Sequence, residues 1–282
     1  MSTQQQFQMN QQEFLAERSY KFQKHSLLVD SNARDRSRYP SSSSYRIELP
    51  SVYKQVKTVK LMSVEVPMTF YGFTSANAST TLKIGVYNSA GSTKLATQTV
   101  QIPDGNYTNS TLVANLANKL NANTFFLSEG LTFGVSVDLV NGLISFMTTP
   151  ERKVYVDATT DTGLSYYLGF PKGQITEGTV CKASSVLKAN PYNYVLLDIT
   201  EINGMDECGR STNSVFAKVP MNKAPYETVM IGEDCSNFNT SYLNPYISKL
   251  STLTVVWRTF DMKPVDFNGA DHSFALELEC LE

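Results

Sequence analysis

The side chains that could do acid–base or metal chemistry are few and widely spaced. The sequence has two histidines, His25 and His272, and neither lies in a nucleophile elbow or in a metal-binding pair. Asp261, Asp266 and Asp271 lie in one loop, but they lack the Asp-x-Asp-x-Asp-Gly spacing of a calcium loop. No feature supports the carboxylate pair of a glycoside hydrolase. These patterns predict a protein with no catalytic residues and no metal ligands.

The cysteines and glycines are equally uninformative about a cofactor. Cys181, Cys208, Cys235 and Cys280 are far apart, and none forms a Cys-x-x-Cys pair of the zinc-binding type. No glycine-rich phosphate loop is present, so we expect neither a cofactor nor a small-molecule substrate. The first residues carry no secretion signal. We therefore expect four reduced thiols in a cytosolic compartment.

Composition indicates a folded, β-rich protein. The chain has 282 residues, of which 41% are hydrophobic, and it contains 15 Tyr and 15 Phe. Its net charge of −2 argues against nucleic acid as a partner. It has no apolar run near the roughly 18 residues that span a bilayer, so we expect no membrane-spanning segment.

One basic segment stands out against this acidic background. Between Glu13 and Lys60 ten basic residues face five acidic ones, a net charge of +5, so the remainder is net negative. Within it, Arg34, Asp35, Arg36 and Arg38 follow a short apolar strand. They are either a solvated loop, with ion pairs worth about 0–1 kcal/mol each, or guanidinium groups directed at carboxylates and carbonyls of neighbouring subunits. The charge asymmetry suits contacts between subunits.

The N-terminal residues 1–26 are rich in glutamine and carry scattered aromatic residues, among them Phe7, Phe14 and Tyr20. Alone, such a segment would not bury enough apolar surface to fold. It is either a loose tail or an arm that lies along a partner. We predict subunit contacts at these three residues and at Arg34, Asp35, Arg36 and Arg38.

Strand patterns recur over most of the chain. Residues 250–260 and 273–278 alternate apolar and polar side chains around a turn-rich loop, and about eight such strands lie outside residues 76–175. The central block holds one helix, at 110–120, and a hairpin at Asn141-Gly142. The predicted fold class is mainly β: a jelly-roll-like antiparallel β-sandwich (27–75 and 176–282) with a small inserted α+β module (76–175) and an extended N-terminal arm (1–26).

Several segments, in order, resemble a known family of capsid proteins. They are VDSNARDR (29–36), YRIELP (45–50), VQIPDGNYT (100–108), LGF (168–170), FAKVP (216–220), LSTLTVVW (250–257) and VDFNGADHSF (265–274). These segments resemble the small capsid proteins of large icosahedral double-stranded DNA viruses, the nucleocytoplasmic large DNA viruses. The first segment is one or two residues longer than the usual form.

The resemblance implies a jelly-roll minor capsid or vertex (penton) protein of the virion, with no catalysis. Its partners would be the major capsid protein and other minor capsid proteins, with a homo-oligomer at a vertex. Assembly would take place inside the host cell, and any membrane contact would be indirect, through the inner face of the capsid. Two other readings stay open. One is a receptor- or glycan-binding β-sandwich, with a site at Tyr166, Tyr167 and Phe170. The other is a hydrolase on a β-sandwich that uses a loop aspartate such as Asp266.

Overall fold

The structure, a computed structural model, describes residues 21–160, 163–202, 205–206, 214–232 and 240–281. The chain divides into two compact units. The first combines the residues up to Thr69 with those from Tyr194 onward, and the second is Phe70–Asn193. Each unit is described separately below.

The described residues form sixteen strands, three α-helices and one 3₁₀ turn, Ser31–Ala33. The strands are β1 Phe22–Asp30, β2 Ser44–Pro67, β3 Thr81–Val86, β4 Gln98–Gln101, β5 Thr132–Val137, β6 Ile144–Thr149, β7 Val154–Asp157, β8 Ile175–Gly178, β9 Cys181–Lys182, β10 Tyr194–Ile199, β11 Met205–Asp206, β12 Ser214–Val215, β13 Ala217–Pro220, β14 Thr228–Ile231, β15 Thr240–Arg258 and β16 Ser273–Leu281. The helices are α1 Asn109–Asn121, α2 Thr124–Ser128 and α3 Leu164–Tyr167.

The first unit is built on one curled, antiparallel seven-stranded sheet. Its strand order is β1-β16-β2-β15-β10-β13, and β14 pairs with β2. The short strands β11 and β12 pair separately. The predicted fold class, a mainly β, jelly-roll-like antiparallel architecture, is confirmed.

Two long strands connect the parts of this sheet. The sequence predicts separate strands at 45–49 and at 56–66, but both belong to β2, which has 24 residues. Pro50 does not break it because the register of β2 against β15 shifts near this point, between Leu250 and Thr252. Likewise, β15 begins at Thr240, earlier than predicted, and Pro245 lies at a second register shift. Proline lacks an N–H, so it is tolerated where the ladder is interrupted.

The core of the first unit follows the predicted alternation. Leu253, Val255 and Trp257 of β15 are buried, as are the alternate residues Phe274, Leu276 and Leu278 of β16. Burying each such side chain stabilises the fold by about 1.5–3 kcal/mol. The period-two pattern therefore identified the inward faces of both strands correctly.

The second unit packs two small sheets with the helices around its own core. The sheet orders are β4-β3-β7-β8 and β5-β6-β9. Helix α1 buries Leu112, Leu116 and Leu120 in this core, and Thr108 caps its N-terminus through a capping box with Thr111. The predicted helix and the β5–β6 hairpin are both confirmed.

In the second unit, steric constraints explain why the Leu168-Gly169-Phe170 segment has glycine at its centre. Gly169 has a φ of +87°, and a Cβ there would lie 2.0 Å from the carbonyl oxygen of Ser185. The backbone N–H of Ser185 donates to the Gly169 carbonyl at 3.0 Å, so two chain segments meet at this point. Only glycine fits both the conformation and the close approach.

Two boundaries differ from the sequence-based expectation. Strand β1 begins at Phe22, five residues before the predicted start of the sandwich, because all nine of its residues pair with β16. The sequence also predicts a sandwich strand near residue 181, and in the structure this strand is β9, which pairs with β6 in the second unit. Both pairings join residues far apart in sequence, and periodicity within one segment contains no information about them.

Candidate subunit-contact site

The predicted arginine cluster lies in the loop between β1 and β2, here called the arginine loop (residues 31–40). Asp30 begins it by accepting a hydrogen bond from the backbone N–H of Asn32 at 2.8 Å, which caps the 3₁₀ turn. The loop packs against a second one between β15 and β16, here called the aspartate loop (residues 259–272). The backbone N–H of Ser31 donates to the carbonyl of His272 at 2.9 Å, which extends the β1–β16 ladder into both loops.

Arg34 is buried and joins the two loops. Its guanidinium donates to the carbonyls of Ser31, Tyr39 and Pro40 at 2.6, 3.1 and 3.3 Å, and it forms an ion pair with Asp271. All of these partners belong to the same chain. A buried guanidinium bound in this way holds the loop in one conformation.

The other predicted residues remain on the surface. The carboxylate of Asp35 accepts bonds from the hydroxyl and backbone N–H of Ser37 and from the backbone N–H of Arg38. The hydrogen bonds from Ser37 lower the pKa of Asp35 below its usual value. Arg36 is 57% exposed and shares Asp271, at 2.9 Å. Arg38 is exposed, with its guanidinium 5.7 Å from the centre of the Tyr39 ring.

A groove of about 550 Å³, here called the loop groove, runs beside the arginine loop. It is lined by both acidic and basic side chains: Asp35, Arg38, Arg46 and Glu48, with Ala33, Tyr39 and Ile47 between them. Alternating charges around an aromatic ring suit a polar protein surface better than a small apolar ligand. Sequence analysis identified Asp35 and Arg38 but missed Arg46 and Glu48, whose outward alternation in β2 was the available signal.

Asp271 is the main acceptor at this site. Burial raises the pKa of Asp271. Hydrogen bonds from Arg34 and Ser31 and the nearby guanidinium charges together lower it by a larger amount, so its pKa lies below the usual value. The carboxylate is therefore ionised at neutral pH. The pairing of Asp271 with Arg34 was not predictable from local patterns, since the two residues are 237 positions apart.

His272 lies directly beneath this ion pair, in the core. Its Nε2 is 2.8 Å from the carbonyl of Ser42 and donates to it, and its ring packs against Trp257, Phe267 and Phe274. Burial lowers the pKa of His272 to about 4. Its place in a turn before a strand predicts a surface or a loop-bracing histidine. The surface alternative is wrong because the ring is buried, whereas the bond to Ser42 agrees with the loop-bracing alternative.

A second cavity, of about 440 Å³, is lined in part by the carboxylates Asp30, Glu65 and Asp271. Among the described residues no three His, Cys, Asp or Glu side chains are arranged to hold a metal ion. Asp261 and Asp266, the other loop aspartates, accept local hydrogen bonds from Thr259 and from the backbone of Asn268. These aspartates brace the loop.

Three of the predicted contact residues, Phe7, Phe14 and Tyr20, lie outside the described residues. The structure brings Arg34, Asp35, Arg36 and Arg38 together in one loop. It does not place all three aromatic residues of the alternative glycan site on one surface. The ring centroids of Tyr166 and Tyr167 are 5.2 Å apart and Tyr166 is 44% exposed, but Tyr167 packs on Phe73 and Phe170 is buried in the core. A shallow surface made by all three side chains is therefore absent.

Residues 12–230 match the profile of DUF5901, a family of unknown function. The chain belongs to this family. No curated protein matches the sequence. The DUF5901 match spans parts of both compact units, so the two-unit chain is the relevant object for comparison.

Among solved structures, this DUF5901 protein is similar to the mavirus penton protein, solved as a selenomethionine-labelled crystal form. The TM-score is 0.54 at 10% sequence identity, and the alignment covers 93% of this chain and 100% of the penton chain. At this identity the likeness concerns the fold.

Within the described residues, no helix combines the length and apolar character needed to cross a bilayer.

Proposed function

We propose that this chain is a structural component of the shell of an icosahedral double-stranded DNA virus, in a vertex (penton) or minor capsid position. The observation that carries the proposal is a fold shared with a penton protein over nearly the full length of both chains. The segments that resemble capsid proteins map onto structural positions: the arginine loop, β2, β15 and the aspartate loop. A rigid β scaffold with a fixed polar loop suits a protein that binds neighbours.

The partners that fit this function are the major capsid protein, other minor capsid proteins and further copies of this chain at a vertex. The loop groove supplies a polar surface whose backbone is held by Arg34, so little ordering is needed on binding. Repetition around a symmetric shell makes modest contacts sufficient, because multivalency raises the effective concentration. Residues 1–20 are proposed as an arm that contacts such neighbours.

The direct test is co-sedimentation with particles. The chain is co-expressed with the major capsid protein of the same virus, and assembled particles are separated on a density gradient. We expect the chain to band with particles at a constant ratio to the major protein. A chain that stays at the top of the gradient as a monodisperse monomer, and that binds immobilised glycans, would overturn the proposal in favour of the receptor-binding alternative.

Arg38→Glu should reduce incorporation into particles about tenfold while changing the free energy of unfolding by less than about 0.5 kcal/mol. Arg38 is exposed and lines the loop groove, so its charge is available to a partner and contributes little to the fold. Lys223→Glu, an equal charge reversal at an exposed residue outside the groove, is the matched control. Equal incorporation of the two variants would remove the loop groove from the interface.

Deleting residues 1–20 should abolish incorporation and leave the first unit folded. The truncation stops at residue 20 because β1 begins at Phe22, and removing residues 1–26 would delete half of a paired strand. Folding is measured by the fluorescence of Trp257, the single tryptophan. Normal incorporation of the truncated chain would contradict the proposed arm.

A further inference from the structure

Strand β1 is an edge strand along its full length. All nine of its residues pair with β16, and none of the other described strands pairs with it. At about 3.3 Å per residue it offers an edge about 30 Å long. Such an edge is a template for another strand unless it is protected.

The register shows which backbone groups face outward. Ser31 donates to its directly opposed residue, His272, so this is a hydrogen-bonded pair. In an antiparallel ladder such pairs alternate. His25, Leu27 and Val29 therefore bond to β16, whereas Lys24, Ser26 and Leu28 direct their N–H and C=O groups to the open edge.

This edge has one of the usual protective devices, the exposed Lys24, whose charge is paired with Glu277 and Glu279 of β16, and it lacks the others. Strand β1 contains neither proline nor glycine, and its pairing with β16 has no bulge. The side chains of Leu28 and Phe22 lie on the same face of the strand, and these residues are 77% and 42% exposed. A long, regular edge with exposed apolar side chains is a binding surface for an extended segment.

We propose that the N-terminal segment, residues 1–20, of a second copy adds to this edge as a further strand. This inference rests on the proposed function, for which it identifies the contact between copies. Twenty extended residues reach up to about 66 Å, twice the length that β1 requires. The segment has no proline or glycine, and Phe7 and Met9 alternate with glutamines in a strand-like pattern.

The sequence before β1 favours a second copy over the same chain. A strand that folded back onto its own β1 would need a tight turn just before Phe22. No Gly, Pro, Asn or Asp occurs between Glu13 and Phe22, so the residues that favour the positive φ of a two-residue hairpin turn are absent there, and Ser19 is the one remaining turn former. An arm that continues away from β1 can reach the equivalent edge of a neighbouring copy.

The test is Ser26→Pro in the full chain, with Ser26→Ala as the control. Proline removes an outward N–H and places its ring where the incoming strand would lie, but it leaves the bonds to β16 intact. Sedimentation velocity should show that Ser26→Pro raises the dissociation constant for self-association about tenfold or more, and that Ser26→Ala does not. Equal self-association of the two variants, or a wild-type chain that stays monomeric, would overturn the inference.

Amide exchange of the unmodified chain gives a second, independent measurement. In the associated form Lys24, Ser26 and Leu28 should be protected, and dilution to monomer should expose them. The inward amides of His25, Leu27 and Val29 should stay protected throughout. Outward amides protected at every concentration would show pairing within one chain and overturn the second-copy proposal. Incorporation of Ser26→Pro into particles is scored separately, so this inference can fail while the shell function stands.

Discussion

Arg34→Ala should destabilise the first unit by about 3 kcal/mol. The substitution removes the donors to the carbonyls of Ser31, Tyr39 and Pro40 and leaves Asp271 without its buried partner. Leaving a buried polar group unpaired costs more free energy than the net strength of its hydrogen bond. The expected destabilisation therefore exceeds that of losing a surface ion pair. Urea unfolding followed by the fluorescence of Trp257 measures it, since this residue lies in the same unit.

Arg36→Ala is the matched control. Arg36 binds the same carboxylate but is 57% exposed, so its removal should cost less than about 1 kcal/mol. The comparison separates burial from charge, because both variants delete one arginine from one loop. Equal destabilisation by the two substitutions would show that Arg34 does not hold the loops together.

Acidification should destabilise the first unit through His272. Its pKa is lowered to about 4 in the folded chain, below the usual value near 6.5, so the unfolded chain binds the proton more readily. The contribution of the neutral imidazole is complete above about pH 6.5 and is lost as the pH falls toward 4. The expected loss is about 2 kcal/mol between pH 7 and 5, and about 3 kcal/mol by pH 4.

The groups around the imidazole explain why protonation is opposed. Burial is the main cause, and the charge of Arg34 acts in the same direction. The bond to Ser42 and the charges of Asp271 and Asp30 act against it, so they limit the shift. The Nδ1 of His272 and the nearby Tyr45 hydroxyl and Trp257 Nε1 have no hydrogen-bond partner among the described residues. A proton on Nδ1 would therefore be buried without an acceptor.

His272→Gln tests this assignment, because glutamine can still donate to Ser42 but does not titrate. Its free energy of unfolding should change little between pH 7 and 5. His25→Gln, which removes the other histidine, should keep the wild-type pH profile. If His272→Gln lost stability between pH 7 and 5 as the wild-type chain does, the acid sensitivity would lie elsewhere in the chain.

Local patterns predicted much of the fold. Alternation identified the inward faces of β15 and β16, and the leucine spacing, with Thr108 or Asn109 as the expected cap, identified α1. Local patterns also divided β2 into two strands and began β15 about ten residues too late. Pro50 and Pro245 lie at shifts in register, which depend on the partner strand and not on the residues alongside them.

By itself, the sequence determined that the protein is mainly β and carries a basic, arginine-rich loop after its first strand. Periodicity and turn residues act over a few positions, so they can be read from one segment. Only the tertiary structure decided that Arg34 is buried against Asp271 and that His272 lies in the core. The register of β1 against β16 brings these residues together across some 240 positions, and burial then sets their charge states.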